Sequence, residues 1–305
     1  MSDYEASVRP PLAGTRMALS RAKLSLPTIR RAAGMFEGNH SSIFTGHGHD
    51  FEDLIEYKYG DDVADIDWKS SARAGHPIIR RFERESDVFT QLVVDTGIEM
   101  RAAAPSGESK LDLALQAADL LGFLATNRGD RLGLVFGEGG EVKRYPARHG
   151  NSHLEFTLDA LARRMRFSQG STDVSALLKH ILGLPQPRSL LLIIADEHWP
   201  TIADEEVVRR IRTRHEAILM QIADMPLTAD NIDTMADIEN RMLIPQFVRD
   251  DAVLREMVTQ KREQRRAETA AILRSTGLAS GRVESSADIV PVLFDLLRGQ
   301  SAKRR

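Results

Sequence analysis

The chain contains no cysteine among its 305 residues, which excludes disulfides, thiol catalysis and cysteine-ligated zinc. Its longest uninterrupted apolar run, from Leu190 to Ala195, is far shorter than the ~20 residues that cross a bilayer as a helix. A formal net charge of -3 gives no global attraction to nucleic acid or to an anionic membrane. We therefore expect a cytoplasmic protein without an integral membrane segment and without a nucleic-acid partner.

The common catalytic motifs are also missing. Gly107-Glu-Ser-Lys110 lacks the upstream glycine of a phosphate-binding loop, and the chain has neither a Gly-x-Ser-x-Gly elbow nor a His-Glu-x-x-His helix. These absences remove the frequent enzyme frameworks without excluding an enzyme. We predict a protein that is not an enzyme.

The amino-terminal part is basic. From Ala6 to Phe36 there is no acidic residue, whereas six residues are basic. A pair of prolines at Pro10 and Pro11 suggests a short disordered start. We predict a partly disordered basic arm over residues 1–40 and a short basic tail over residues 300–305.

Strand and helix patterns alternate through most of the remaining chain. The run from Val88 to Val94 is rich in β-forming residues, and the run from Ser189 to Ala195 is apolar without alternation, as in a strand buried on both faces. The intervening patterns predict a helix after Ser109, a hairpin around Gly137-Glu-Gly-Gly140, and further helices and strands up to Leu297. This alternation predicts a doubly wound, mostly parallel α/β sheet.

Aspartates follow two of these strands directly. Asp95 ends the first strand and Asp196 ends the later apolar strand. In open parallel sheets, ligands bind beyond the carboxyl ends of the strands, where the strand order reverses. Asp95 and Asp196 are therefore candidate site residues, and the alternative is that each only hydrogen-bonds the turn that follows it.

A cluster of charges lies between Tyr57 and Gly75. Its residues are four aspartates, one tryptophan and one arginine: Asp61, Asp62, Asp65, Asp67, Trp68 and Arg73. The aspartates lack the spacing of a calcium loop, and arginines are near enough in sequence to pair with them. We predict a structural ion-pair network that is anchored by Trp68 and holds this segment on the sheet.

The charge cluster, together with the strand that ends at Asp95, resembles the signature of the family called domain of unknown function 58. Members of that family carry a von Willebrand factor A-like domain. The resemblance implies a family-specific extension over residues 41–86, the von Willebrand factor A-like domain over residues 87–299, and a charged helical insertion over residues 225–277.

The resemblance also implies a divalent cation, Mg or Mn, in a metal-ion-dependent adhesion site. The matching positions here are Asp95, Thr172 and Asp196, whereas Gly97 and Glu99 stand where the family pattern has two serine ligands. The loss of both hydroxyls weakens a site that needs about six oxygens, and Glu99 is a candidate replacement ligand. For Thr172, the alternative reading is the N-cap of the following helix.

The function that this resemblance implies is a protein–protein interaction adaptor. Its crevice would bind a carboxylate of a partner directly or through the cation, and the partner would be an AAA+ ATPase of the MoxR type in chaperone or complex assembly. Two alternatives use the same crevice. One is a metal-assisted hydrolase with Glu99 as general base, and the other is an ion-free docking scaffold.

Overall fold

The computed structural model describes residues 50–57, 66–83, 88–138, 140–167, 170–226 and 251–302. These residues form eight strands, which are β1 (Asp50–Glu56), β2 (Ile78–Glu83), β3 (Phe89–Asp95), β4 (Arg131–Glu138), β5 (Glu141–Arg148), β6 (Ser189–Asp196), β7 (Glu216–Ile222) and β8 (Ala279–Val283). The same residues form seven α-helices, which are α1 (Trp68–Ala74), α2 (Lys110–Asn127), α3 (Asn151–Phe167), α4 (Val174–Gly183), α5 (Glu205–Arg214), α6 (Ala252–Thr276) and α7 (Ile289–Ala302).

Six of the strands form one sheet in the order β5-β4-β3-β6-β7-β8. Only β5 runs antiparallel to its neighbour, as the second strand of the hairpin with β4. The other neighbouring pairs are parallel. The predicted doubly wound, mostly parallel α/β sheet is therefore confirmed.

The sheet is covered on both faces. One core contains side chains of α2, α3 and α7, and the other contains side chains of α4, α5 and the end of α6. Along β6, Leu190 and Leu192 belong to the first core, and Leu191 and Ile193 to the second. The uniformly apolar sequence of β6 follows from this, because both of its faces are buried.

The last strand lies earlier than predicted. The sequence suggests a strand near residues 282–284, whereas β8 begins at Ala279. Its residues Ala279, Ser280 and Gly281 are small and carry no β-branched pattern, so the sequence gives little signal for this strand. Among the described strands, β8 pairs only with β7 and forms the edge of the sheet.

Helix boundaries follow local capping chemistry. Asp251 accepts hydrogen bonds from the first amides of α6, and Gly277 ends that helix with a left-handed backbone (φ 67°). The N-cap of α4 is Asp173, whose carboxylate accepts from the Ala176 amide at 3.0 Å. The alternative role for Thr172, that of an N-cap, is therefore wrong.

The segment before the main sheet forms a two-stranded antiparallel sheet from β1 and β2, with α1 between them. The predicted basic arm and basic tail lie outside the described residues, apart from the last turn of α7. The proposed domain limits stay predictions. Within the part of the chain that the structure describes, no helix combines the length and apolar character needed to cross a bilayer.

Candidate functional site

The candidate site lies where the strand order reverses. From β3 the chain proceeds to β4 and β5 on one side, and then crosses to β6 on the other side of β3. Strands β3 and β6 are parallel neighbours, with Val94 opposite Ile194. Their terminal residues, Asp95 and Asp196, therefore lie next to each other at the carboxyl edge of the sheet.

Asp95 is a buried carboxylate in the turn after β3. Its Oδ1 accepts a hydrogen bond from the Gly97 amide at 2.8 Å, and it lies within hydrogen-bonding reach of the Thr172 hydroxyl and the Asp196 amide. Burial raises the pKa of Asp95, although the Gly97 amide opposes the shift, and the neighbouring charge of Asp196 raises the pKa further. A cation beside Asp95 would lower this pKa again.

Thr172 joins the loop before α4 to the ends of β3 and β4. Its hydroxyl donates to the Gly137 carbonyl at 2.7 Å and accepts from the Thr96 amide at 3.2 Å. The Thr96 hydroxyl donates to the same carbonyl at 2.5 Å. Because a hydroxyl has one proton, Thr172 donates to either Gly137 or Asp95 at any moment.

The position of Gly97 has no room for a side chain. A Cβ atom there would lie 2.3 Å from the Glu99 Oε2, 2.8 Å from the Thr172 backbone nitrogen and 3.1 Å from the Asp95 Oδ1. The Glu99 carboxylate thus fills the space that a serine at position 97 would need. The two departures from the family pattern therefore fit each other, because the glycine at position 97 leaves the space that the Glu99 carboxylate occupies.

Lys110 supplies a positive charge inside the site. It is fully buried at the first turn of α2, and its ammonium group hydrogen-bonds both Asp196 and Asp224. Burial opposes the charged form, but the charges of Asp196 and Asp224 outweigh it and raise the pKa of Lys110. Lys110 is therefore a permanent cation held between two carboxylates.

His198 extends this network toward the surface. Its Nε2 lies 3.2 Å from the Asp224 Oδ2, and its amide donates to the Asp196 Oδ1 at 2.7 Å. The contact with Asp224 raises the pKa of His198. Burial opposes the charge of Asp224, but the hydrogen bond from His198 and the charge of Lys110 lower the pKa of Asp224 to about 2.

Three side chains of this network have the spacing of a metal site. Asp196, His198 and Asp224 each place one ligand atom within 4.8 Å of the others. The Lys110 ammonium already contacts both of these carboxylates. A divalent ion at this position would therefore compete with Lys110.

Glu197, between Asp196 and His198, is directed toward another set of charges. Its buried carboxylate contacts Arg282 at 2.9 Å, Arg262 at 3.2 Å and Arg266 at 3.5 Å. Arg262 also donates to the backbone carbonyls of Asp224 and Met225, and so ties α6 to the loop after β7.

The structure brings Asp95, Thr172, Asp196 and Glu99 together, whereas their role as metal ligands stays a prediction. Three further residues of the site, Lys110, His198 and Asp224, are not among those predicted from the sequence. Asp224 follows β7 closely, so the strand-end argument that selected Asp95 and Asp196 applies to it as well. The sequence indicates Lys110 less clearly, because it shows only that this residue lies in the first turn of a predicted helix.

The charge cluster before the main sheet is only partly described. Asp67 is the N-cap of α1 and accepts hydrogen bonds from the amides of Lys69 and Ser70. Trp68 is 69% exposed, which does not match the expected apolar anchor, whereas Arg73 lies in the last turn of α1. Asp61, Asp62 and Asp65 lie outside the described residues, so the ion-pair network stays a prediction.

Comparison with solved structures gives distant likenesses, of which two are described here. The protein BatB from Bacteroides thetaiotaomicron is 13% identical with a TM-score of 0.44, covering 70% of this chain and 99% of that one. The pilus adhesin SpaC from Lactobacillus rhamnosus GG is 12% identical with a TM-score of 0.43, covering 72% of this chain and 31% of that one.

Comparison of sequences gives full-length relatives. Uncharacterized proteins of Mycobacterium tuberculosis and Mycobacterium bovis are each 27% identical to this chain over 315 aligned positions, which cover 100% of it and 97% of the relative. The family described as protein of unknown function DUF58 matches residues 53–268, which is more than half of the chain. The chain therefore belongs to the DUF58 family.

Proposed function

We propose that this chain is a non-enzymatic adaptor that binds another protein at the crevice formed by Asp95, Thr172 and Asp196. The observation that carries the proposal is the position of Asp95 and Asp196 at the carboxyl ends of β3 and β6, where the strand order reverses and where the Thr172 hydroxyl lies beside Asp95. The side chains of His198 and Asp224 are 33% and 22% exposed, so a partner can reach the charged rim of the crevice.

The charges of the crevice define the partner group that it accepts. Lys110 and His198 are outnumbered by the carboxylates of the crevice, which are those of Asp95, Glu99, Asp196 and Asp224. An excess of carboxylates favours a basic side chain of the partner and disfavours an acidic one. A partner's carboxylate would need a divalent cation as a bridge.

The residues of the crevice fit Mg or Mn only after rearrangement. They offer hard oxygen donors, which suit such an ion. However, the two Asp196 oxygens already accept from the His198 amide and from Lys110, and the Thr172 hydroxyl is bound to Gly137. We propose that Lys110 is the resident positive charge and that the partner docks without a divalent ion. Docking through a bridging ion at Asp95, Thr172, Asp196 and Glu99 is the alternative.

The partner that we propose is an AAA+ ATPase of the MoxR type, with a role in chaperone activity or complex assembly. This choice rests on the family resemblance alone. The crevice adds one constraint, because the surface of the ATPase that binds it should present a basic side chain.

The test is a binding titration of the purified chain against a MoxR-type ATPase, in chelator and in excess magnesium. We expect Glu99→Gln to weaken binding, because it removes a charge at the crevice, and Glu206→Gln, an exposed change on α5, to leave it unchanged. Binding that is equal in chelator and in magnesium supports the ion-free site. Binding only with magnesium establishes the bridged site instead, and equal binding by both variants in both conditions refutes the crevice as the docking site.

The same variants distinguish the adaptor from the metal-assisted hydrolase. If Glu99 is a general base, Glu99→Gln abolishes metal-dependent turnover of ester or phosphoester substrates. If the chain is an adaptor, wild type shows no such turnover above a Glu99→Gln control, and the effect of the variant appears in binding.

A further inference from the structure

A groove with a volume of about 990 Å³ runs along the outer edge of the sheet, beside β8. Its floor is β8, and its walls include Leu273 of α6 and Val292 and Leu296 of α7. Arg188 and Glu216 lie at the amino ends of β6 and β7, whereas Glu197 and Arg282 lie at the carboxyl ends. The groove therefore runs parallel to β8, from the amino ends of the strands to their carboxyl ends.

Within the described part of the chain, no other strand pairs with the outer edge of β8, which forms the floor of the groove. The Val283 carbonyl accepts a hydrogen bond from the Ala223 amide, which follows β7. The backbone groups of Val283 therefore point toward β7. Backbone groups alternate along a parallel strand, which turns those of Ser280 and Arg282 toward the open edge. The small side chains of Ala279, Ser280 and Gly281 leave this edge accessible.

The groove carries an excess of positive charge. Its lining contains five arginines and three acidic residues, which are Arg188, Arg212, Arg266, Arg274 and Arg282 against Glu197, Glu216 and Asp295. Glu197 already contacts Arg266 and Arg282, and Glu216 contacts Arg188. Among the described residues, no acidic side chain forms an ion pair with Arg212 or Arg274, so a ligand can use their charges.

Arg212 is the most informative of these residues. Its Nε is buried and has no hydrogen-bond partner among the described residues. Its guanidinium group also lies beside Gly277, 3.6 Å from the position that a Cβ of that residue would take. A buried donor without an acceptor is unfavourable, and a carboxylate of a ligand would satisfy it.

We propose that the groove beside β8 binds an extended acidic segment of a partner protein, which adds a strand to the sheet. The main chain of the segment would pair with the open backbone groups at Ser280 and Arg282, and an acidic side chain would pair with Arg212. Open sheet edges bind extended peptides in this way, with backbone hydrogen bonds for affinity and side-chain pockets for specificity. The groove is lined by side chains other than those of the crevice, although its end at Glu197 lies next to it. The groove favours acidic ligands, whereas the crevice favours basic ones.

The test uses two fluorescent octapeptides of alternating sequence, one of glutamate and valine and one of lysine and valine, in anisotropy titrations against the whole chain. We expect the acidic peptide to bind and the basic peptide to bind much more weakly. Arg212→Gln should weaken the acidic peptide by about tenfold, the loss that one charge-assisted hydrogen bond typically represents. Arg210→Gln, a matched exposed change on the same helix, should leave the affinity unchanged.

A second variant tests strand addition. Ser280→Pro removes an amide that faces the open edge, a change that edge strands tolerate, and it should abolish peptide binding while circular dichroism stays that of wild type. In wild type, bound peptide should slow hydrogen exchange at the amides of Ser280 and Arg282.

Three outcomes would overturn the proposal. They are equal affinity for the two peptides, equal binding by Arg212→Gln and Arg210→Gln, and peptide binding that leaves exchange at Ser280 and Arg282 unchanged. Dimerisation of the free chain that Ser280→Pro abolishes would assign the edge to a second copy instead. None of these variants changes the crevice, so failure here is distinguishable from failure of the adaptor proposal.

Discussion

Two buried charges of opposite sign lie beside each other at the carboxyl edge of the sheet. In the crevice, the Lys110 ammonium is shared by Asp196 and Asp224, whereas the carboxylate of the next residue, Glu197, is shared by three arginines. The partners of Lys110 are 12% and 22% exposed, and those of Glu197 range from 23% to 44%. Water therefore screens the arginines around Glu197 better than the carboxylates around Lys110. We expect the stability of the protein to depend more strongly on the Lys110 charge than on the Glu197 charge.

The largest expected effect is that of Lys110→Met. The change removes the buried ammonium group that Asp196 and Asp224 share, and loss of one partner of a buried ion pair destabilises proteins by about 3–5 kcal/mol. We expect a loss of this size in the free energy of unfolding, measured by urea titration. Lys110→Met combined with Asp224→Asn should recover part of it, because the second change removes one unpaired carboxylate.

Melting temperatures measured with magnesium or manganese test whether Lys110 occupies a cation site. If Lys110 takes the position that a cation would otherwise fill, excess divalent ion should raise the melting temperature of Lys110→Met and leave wild type unchanged. A rise in wild type that disappears in Asp196→Ala would show instead that the ion and Lys110 are bound together.

The second effect concerns a buried histidine at the opposite end of the strands. The Ser189 amide donates to the His215 Nδ1 at 3.2 Å, which keeps the ring neutral. Burial, together with the charges of Arg214 and Arg188, lowers the pKa of His215 to about 4. The unfolded chain binds this proton near pH 6.5, so the stability is full above pH 6.5 and is lost as the pH falls toward 4, by at most about 3 kcal/mol.

Unfolding titrations between pH 7 and pH 4 check this prediction. His215→Asn retains an acceptor for the Ser189 amide and should remove most of the pH dependence in this window. If wild type and His215→Asn lose stability in parallel, another group is responsible.

Glu197→Gln should have a smaller effect than Lys110→Met. The carbonyl oxygen of glutamine still accepts from one arginine, and the other arginines are partly hydrated, so we expect a loss of about 1–2 kcal/mol. Urea titrations of the two variants side by side test the comparison directly. A larger loss for Glu197→Gln would mean that the arginine cluster is the more tightly coupled of the two.

The smallest effect is expected at an exposed pair. Arg209 and Glu205 lie one turn apart on α5, with 2.8 Å between the charged atoms, and Arg209 is mostly exposed. Solvent screens such an exposed pair and makes its contribution to stability small, so Arg209→Gln should change the melting temperature only slightly. It provides the baseline for the buried pairs, and a loss comparable to that of Glu197→Gln would show that burial is not what separates them.

The sheet was predictable because its signals are local. The apolar run of β6 predicts a strand that is buried on both faces, and Leu190 and Leu191 do lie in opposite cores. The sequence predicts the edge strand β8 a few residues after its true start at Ala279. Ala279 and Gly281 are small residues whose conformation is set by pairing with β7, so they give no local strand signal.

The candidate site was predictable only in part. Asp95 and Asp196 are found from the ends of strands, and Thr172 from the family pattern. Lys110 is separated in sequence by 86 residues from Asp196 and by 114 from Asp224. Such a pairing depends on where α2 begins relative to the strand ends, which no local pattern encodes.

The crowding at Gly97 limits how this site can be redesigned. A serine there would bring its Cβ atom to 2.3 Å from the Glu99 carboxylate and to 2.8 Å from the backbone nitrogen of Thr172. The end of the Glu99 side chain can turn away, whereas the backbone nitrogen moves only if the loop before α4 shifts. An engineer who installs the two serines of the adhesion-site pattern therefore has to rebuild the Thr172 loop as well.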